Sequence, residues 1–279
     1  MGALHRGVTL VQQRPAVTIP VHIISLASAT HRRAYQAAQA KRLGFVPIWS
    51  DAVGTQDISD AIFHQYAFQW QRALKKTEVA CFLSHLHLWQ NIAKSDGPAV
   101  VLEDDVVLGG DWLADVQLLG THQKADFICL ETWGKKILGK SESLGHLELK
   151  PLILNSAGAA AYVLWPSGAQ HLVARYERCG VALADAFINQ TTGWRIWQLV
   201  PANAVQMSVA PDFGLPKMDH SESLIARELH AAAIANSLTV RCQMKTRRLF
   251  GELKKAWWQL TSLIIYTRSR VPFIDHHYR

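Results

Sequence analysis

A chain of 279 residues with 49% hydrophobic content can bury a sizeable core, as one large α/β domain or two closely packed units. Its four cysteines (Cys81, Cys129, Cys179 and Cys242) show neither C-x-x-C nor zinc-ligand spacing, which disfavours a disulfide framework and suits free thiols in a reducing compartment. No window approaches the roughly 18 apolar residues of a membrane span, and "MGALHRGVTLVQQRPAV" lacks a signal-peptide core, so a soluble or peripheral chain is expected.

The net charge of +7 is unevenly placed. Residues 1–240 are balanced, whereas residues 241–279 carry 9 Lys/Arg against Glu252 and Asp275. In that tail, "RCQMKTRRLFGELKKAWWQLTSLIIYTRSRVPFIDHHYR", basic residues alternate with leucines, isoleucines, Phe250, Trp257 and Trp258. This composition describes an amphipathic helix lying on an anionic membrane surface. The alternative is a helix whose apolar face packs on the body of the protein. Nucleic-acid binding, the other use of a basic tail, is accompanied by no recognised motif.

Residues 1–18 read as a loosely held extension. "VHIISL" (21–26) predicts a strand, followed by a helix that Ser28 or Thr30 can cap and Gly44 can end. A strand, a short loop and a helix N-terminus receive phosphates well, because unpaired amides point outward. G-x-G-x-x-G and G-x-x-x-x-G-K-[ST] are absent, which disfavours a Rossmann dehydrogenase or a P-loop ATPase. "TEVACFLSHLHLWQNIAKSDG" predicts a second helix with Thr77 as N-cap, Glu78 in its first turn and Gly97 at its end. His85 and His87 lie about 200° apart around it and cannot chelate one ion together. Strands are expected at 99–103 and 126–132, with a mobile loop around Gly139 and Gly145. "LILNSAGAAAYVLWPSGAQHLV" reads as strand, small-residue turn, strand and a helix from Pro166–Ser167, and "WRIWQLVPANAVQ" as one or two late strands. Alternating strands and helices make an α/β sheet the default.

The stretch "PAVVLEDDVVLGG" (98–110) runs β-branched residues into Glu103, Asp104 and Asp105. Two like charges about 4 Å apart repel by roughly 4 kcal/mol at an effective dielectric near 20. Carboxylates kept in such a place are usually paired, hydrogen-bonded or bound to a metal ion; the alternative is a solvated loop after an ordinary strand. Residues two apart on a strand share a side, so Glu103 and Asp105 are expected to project together and Asp104 away. Two oxygen ligands on one side suit Mg²⁺ or Mn²⁺, with phosphates completing the shell.

"HIISLASATHRR", "ACFLSHLHLW" and "VVLEDDVVLG", in that order, resemble the bacterial lipooligosaccharide and lipopolysaccharide glycosyltransferases of family 25, especially the β-1,4-galactosyltransferase type. Fainter matches follow at "CLET", "AGAAAYVL", "LADAF", "WQLVPANAVQ" and "VPF". The resemblance implies a GT-A-like central sheet flanked by helices over residues 19–240, with residues 241–279 as a membrane-associating segment. It also implies a nucleotide-sugar donor (UDP-galactose in the galactosyltransferase type), Mn²⁺ or Mg²⁺, and inverting transfer to a lipid-linked saccharide. Such a chain would work in the cytoplasm, peripherally on the inner face of the cytoplasmic membrane. Carried over by position, the donor-binding set is Ser25, Arg32, Arg33, Ser84, His85, Glu103, Asp104 and Lys217. The metal ligands are Asp105, Glu103 and His220, and the candidate bases are Asp185 and Glu131. The family's "GTAGY" segment stands here as Gly158-Ala159-Ala160-Ala161-Tyr162, without the threonine hydroxyl and second glycine, which puts donor-sugar choice in doubt. Trp194 and Trp197 are possible stacking surfaces for a sugar. Alternatives are a glucosyl- or N-acetylglucosaminyl-transferase of the same family, a metal phosphohydrolase, or a non-catalytic peripheral membrane protein on a decayed transferase fold.

Overall fold

The computed structural model describes residues 19–133, 135–154, 158–218, 237–262 and 266–274. In chain order the elements are β1 (Val21–Ser25), α1 (Thr30–Leu43), β2 (Ile48–Asp51), α2 (Asp60–Tyr66), α3 (Lys76–Ile92), β3 (Ala99–Glu103), β4 (Val106–Leu108), α4 (Trp112–Leu119) and β5 (Phe127–Cys129). Next come β6 (Lys135–Leu138), β7 (Glu142–Leu144), β8 (Leu147–Leu154), β9 (Ala161–Leu164), α5 (Pro166–Cys179), α6 (Ala184–Gln190), β10 (Ile196–Val200) and β11 (Ala204–Gln206). A long helix, α7 (Leu238–Ser262), and β12 (Thr267–Arg270) complete the set.

One sheet runs β12-β6-β8-β10-β5-β9-β3-β1-β2, with β7 on β8, while β4 and β11 form a small separate pair. β1 is parallel to β2 and β3, β10 is parallel to β5, and β9 is antiparallel to both β3 and β5. Five central strands therefore point one way around a single reversed strand. Their carboxyl ends form one edge, where an open α/β sheet binds ligands.

β3 shows why its sequence is continuously apolar. Ala99 and Val101 pack into the cluster with α3, α5 and α6, while Val100 and Leu102 pack into the cluster with α1 and α4. Each residue lies against one of two helical layers, so no position is left for a solvent-facing side chain. Burial of each such side chain is worth about 1.5–3 kcal/mol.

Several local expectations change. α1 starts at Thr30 after Ala29, with no side-chain cap, so neither Ser28 nor Thr30 caps it; Gly44 does end it, in the left-handed region at φ +78°. α3 begins at Lys76, ahead of Thr77. Its first turn is held by Glu78, which accepts from the Lys75 amide (2.9 Å) and from both Arg72 guanidinium nitrogens (2.9 and 2.7 Å). That is stronger than a hydroxyl cap. The polar stretch expected as a mobile loop holds three strands, β6 and β7 each antiparallel to β8, with Leu138, Leu147, Leu149 and Leu152 buried. The basic tail is not one peripheral segment. α7 starts three residues before 241, and β12 joins the sheet edge against β6, with Val271 buried and Phe273 bridged to Ala202. The 1–18 extension lies outside the described residues.

Asp126 ties three elements together at the amino end of β5. Its carboxylate accepts from Arg195 Nε (3.0 Å), Nη2 (2.8 Å) and backbone N (2.8 Å), and from Ser167 Oγ. Burial pushes its carboxyl up, but these donors outweigh burial and bring it from 3.8 down to about 2. A depressed carboxyl contributes stability above its unfolded value and loses it as pH falls through its folded value. Asp126→Asn is therefore expected to lower urea-denaturation stability at pH 7 by about 1.5–3 kcal/mol. The gap from wild type should close between about pH 4 and pH 2.

Candidate active site at the carboxyl edge of the sheet

The three acidic residues meet different fates. The strand ends at Glu103, and Asp104 and Asp105 occupy the turn into β4. Glu103 Oε1 lies 3.1 Å from His85 Nε2. Asp104 turns to β1 and α1, accepting from Ser25 Oγ (2.7 Å) and Arg32 Nη1 (2.9 Å). Asp105 is buried, and its Oδ1 has no hydrogen-bond partner. Burial, then the neighbouring Glu103 carboxylate, push its carboxyl well above the ordinary range, with Arg32 opposing. A buried, unpartnered carboxyl oxygen beside a second carboxylate matches a hard divalent cation with oxygen ligands, so Asp105 and Glu103 fit the implied Mn²⁺ or Mg²⁺.

The turn is held from behind by two buried glutamines. Gln36 Nε2 donates to the carbonyls of Asp104 (3.1 Å) and Val106 (2.8 Å). Gln39 Nε2 donates to Val106 O (3.0 Å), while its Oε1 accepts from Leu108 N (2.9 Å). The helix that carries Arg32 and Arg33 thus fixes the backbone of the triplet. Arg33 donates to Leu26 O (3.1 Å) and Ser25 O (2.8 Å), pairs with Asp51, and lies over Trp49. Both arginines already have carboxylate partners, so neither is a bare anion receptor.

His85 is completely buried and oriented by a hydrogen-bond chain. Trp89 Nε1 donates to Tyr162 Oη (2.8 Å), and that hydroxyl lies 3.0 Å from His85 Nδ1, which leaves Nε2 facing Glu103. Ser84, next to it, points elsewhere: its hydroxyl donates to Ala80 O (2.8 Å) and accepts from Val53 N (2.9 Å). Val53 belongs to the wall of a cleft of about 550 Å³, which Asp51, Tyr66, Leu83, His87 and Tyr176 also line. None of the triplet lines that cleft; α3 presents one face to each.

The two candidate bases are unlike. Glu131 is enclosed: its Oε1 accepts from the Ala160 amide (2.8 Å), and a Cβ on Gly158 would sit 1.9 Å from that oxygen, so a larger residue there would displace the carboxylate. Burial pushes the Glu131 carboxyl up to about 7, with Lys136 opposing. Asp185 is half-buried in the first turn of α6, and its Oδ1 accepts from the Ala186 amide (2.6 Å). Burial raises its carboxyl, and Glu103 and Glu78 add to the rise. Lys217 is exposed after the 3₁₀ turn Ala210–Phe213, and His220 lies outside the described residues. Trp197 is buried against His122, and Trp194 packs on Phe127, so Trp197 offers no open stacking face.

The structure thus joins Ser25, Arg32, Asp104 and the two glutamines in one network, and His85 and Glu103 in another. Sequence reasoning did not single out Gln36, Gln39, Tyr162, Asp51 or Cys81. The glutamines at i and i+3, and Cys81 four residues before His85, had helical spacing as their signal; Asp51 had none.

The sequence profile of glycosyltransferase family 25 (LPS biosynthesis protein) matches residues 18–188, more than half of the chain. Over 155 residues the chain is 32% identical to the lacto-N-neotetraose biosynthesis glycosyltransferase LgtE of Neisseria meningitidis serogroup B, covering 51% of this chain and 55% of that protein. Over 225 residues it is 26% identical to LgtB of Neisseria gonorrhoeae, a protein of the same description, covering 76% of this chain and 75% of the relative. The chain therefore spans about half the length of the LgtE relative it matches. Among solved structures, the inositol-1-phosphate CTP transferase from T. maritima aligns with 75% of this chain and 94% of its own, at 9% identity and a TM-score of 0.39, too distant to carry an argument. With the family profile covering the strand, the helix and the acidic turn that build this edge, the chain belongs to glycosyltransferase family 25.

Proposed function

We propose that the chain is an inverting, metal-dependent transferase that moves a hexose from a nucleotide-diphosphate sugar to a saccharide acceptor of lipopolysaccharide or lipooligosaccharide. UDP-galactose is the donor expected from the resemblance of the sequence to the β-1,4-galactosyltransferase type. The observation that carries the reading is the buried Asp105 carboxylate, without a partner at Oδ1, beside Glu103 at the carboxyl edge of the sheet. Asp105 and Glu103 would hold Mn²⁺ or Mg²⁺, which supplies positive charge to the departing diphosphate. Ser25, Arg32 and Asp104 keep the turn in register, and Arg32 is the cation closest in the network to where phosphates would lie.

Inversion needs a base that takes the acceptor hydroxyl's proton as its oxygen attacks the anomeric carbon opposite the leaving nucleotide. Asp185 suits this role better than Glu131. Its carboxylate is half-exposed, and its raised affinity for protons strengthens it as a base. Glu131 instead props the β5 end against the Ala160 amide. The cleft beside β2 offers room for part of the donor or acceptor.

α7 supports association with the inner face of the cytoplasmic membrane. Leu249, Phe250, Leu253, Trp257 and Leu260 are exposed along it, interleaved with basic residues. None of the described helices is long and apolar enough to cross a membrane.

A panel of UDP-galactose, UDP-glucose and UDP-N-acetylglucosamine with Mn²⁺ tests the function. Transfer or donor hydrolysis is expected with UDP-galactose, and silence with every nucleotide sugar refutes the proposal. Asp105→Asn should lower kcat/KM by about 10²–10³-fold or more, while the unfolding midpoint holds or rises because burial and Glu103 already disfavour a carboxylate at this position. Asp185→Asn should lower kcat by about 10²–10⁴-fold, whereas Glu131→Gln should chiefly lower the unfolding temperature; the opposite pattern would reassign the base. Phe250→Ser with Trp257→Ser should weaken co-sedimentation with phosphatidylglycerol vesicles and leave transfer to a soluble acceptor unchanged. Unaltered sedimentation would remove the membrane role of α7.

A further inference from the structure

Beside the pair assigned to the hard cation, and sharing Glu103 with it, α3 and β3 bring together a donor set of different chemistry. Cys81 Sγ, a His85 ring nitrogen and a Glu103 carboxylate oxygen all lie within 4.8 Å of one another. Cys81 and His85 stand one helical turn apart, so both point off the same face of α3. The Nε2–Oε1 separation of 3.1 Å is close to what two ligands of one tetrahedral ion adopt, given bonds of about 2.0–2.3 Å.

Two further observations point to a cation. The Tyr162–Trp89 chain occupies Nδ1, so the imidazole offers only Nε2 and is held in place, as the outer partner of a metal-bound histidine does. Asp105, two residues after Glu103, is buried with an unpartnered oxygen.

We propose that Cys81, His85 and Glu103 form a binding site for a thiophilic divalent cation, Zn²⁺ by ligand type. A thiolate, an imidazole and a carboxylate match zinc rather than Mg²⁺ or Mn²⁺, and the set of three leaves a fourth position open. Glu103 serves both this site and the proposed donor cation. Resting on the transferase reading, Zn²⁺ would therefore compete for Glu103 and inhibit transfer.

Cobalt titration of the full chain tests the site without any turnover. In a Cys179→Ser, Cys242→Ser background, Cys81 and the fully buried Cys129 are the cysteines left. Co²⁺ is expected to give one equivalent of a near-ultraviolet thiolate-to-cobalt band, displaced by Zn²⁺ but not by Mg²⁺. Cys81→Ser should abolish the band and weaken Zn²⁺ binding by at least about 100-fold. No band in the parent chain overturns the site, as does a band that survives Cys81→Ser. Should Cys81→Ser fail to fold, Cys81→Ala gives the same comparison, and the parent spectrum is decisive without either variant. If the cobalt band appears but no nucleotide sugar is turned over, the metal site stands and only the competition for Glu103 falls.

Discussion

Three adjacent carboxylates at the end of a strand buried on both faces are the constraint around which this molecule is arranged. Each must be compensated separately. Asp104 is neutralised from the β1–α1 side by Arg32 with Ser25, and Glu103 faces His85 Nε2 on α3; Asp105 receives no hydrogen bond at its buried Oδ1. Under the function proposed above, the oxygen that the fold leaves without a partner is where a cation would bind.

That division explains features that otherwise look unrelated. Gln36 and Gln39 are polar residues buried on α1, an unfavourable choice for packing alone, yet they hold the carbonyls of the turn carrying Asp104. Tyr162 and Trp89 set the ring of His85. Gly158 is small because the Glu131 carboxylate occupies the space that a side chain would need. Asp126, far from the edge, holds β5, α5 and β10 in mutual register so that the carboxyl ends line up.

The sheet was legible in the sequence because its strands are short, apolar and β-branched, and because Gly44 and Pro166 mark helix ends and starts through local backbone preference. "WRIWQLVPANAVQ" did divide into two strands, β10 and β11. The strands β6, β7 and β8 were not legible, since lysines, glycines and glutamates interrupt their apolar residues. Its Lys136 is nonetheless fully buried, donating to Gln198 and to Glu131 O (2.9 Å), a tertiary arrangement that no spacing announces. At the edge, the acidic triplet and the Ser-His pair were legible as motifs, but their division of labour was not. Ser84 braces a cleft wall while His85 faces the carboxylate, a distinction set by the 100° between neighbours on a helix.

The return of the chain into the sheet after α7 has a mechanical consequence. The helix is docked near its middle, where Arg247 donates to Phe68 O (2.9 Å), and soon after its end β12 is laced antiparallel to β6. A helix fastened in this way is no free-swinging stalk. On the membrane reading proposed above, a surface met by its exposed leucines and aromatics would restrict the tilt of the body, and with it the angle at which the carboxyl edge faces its substrates.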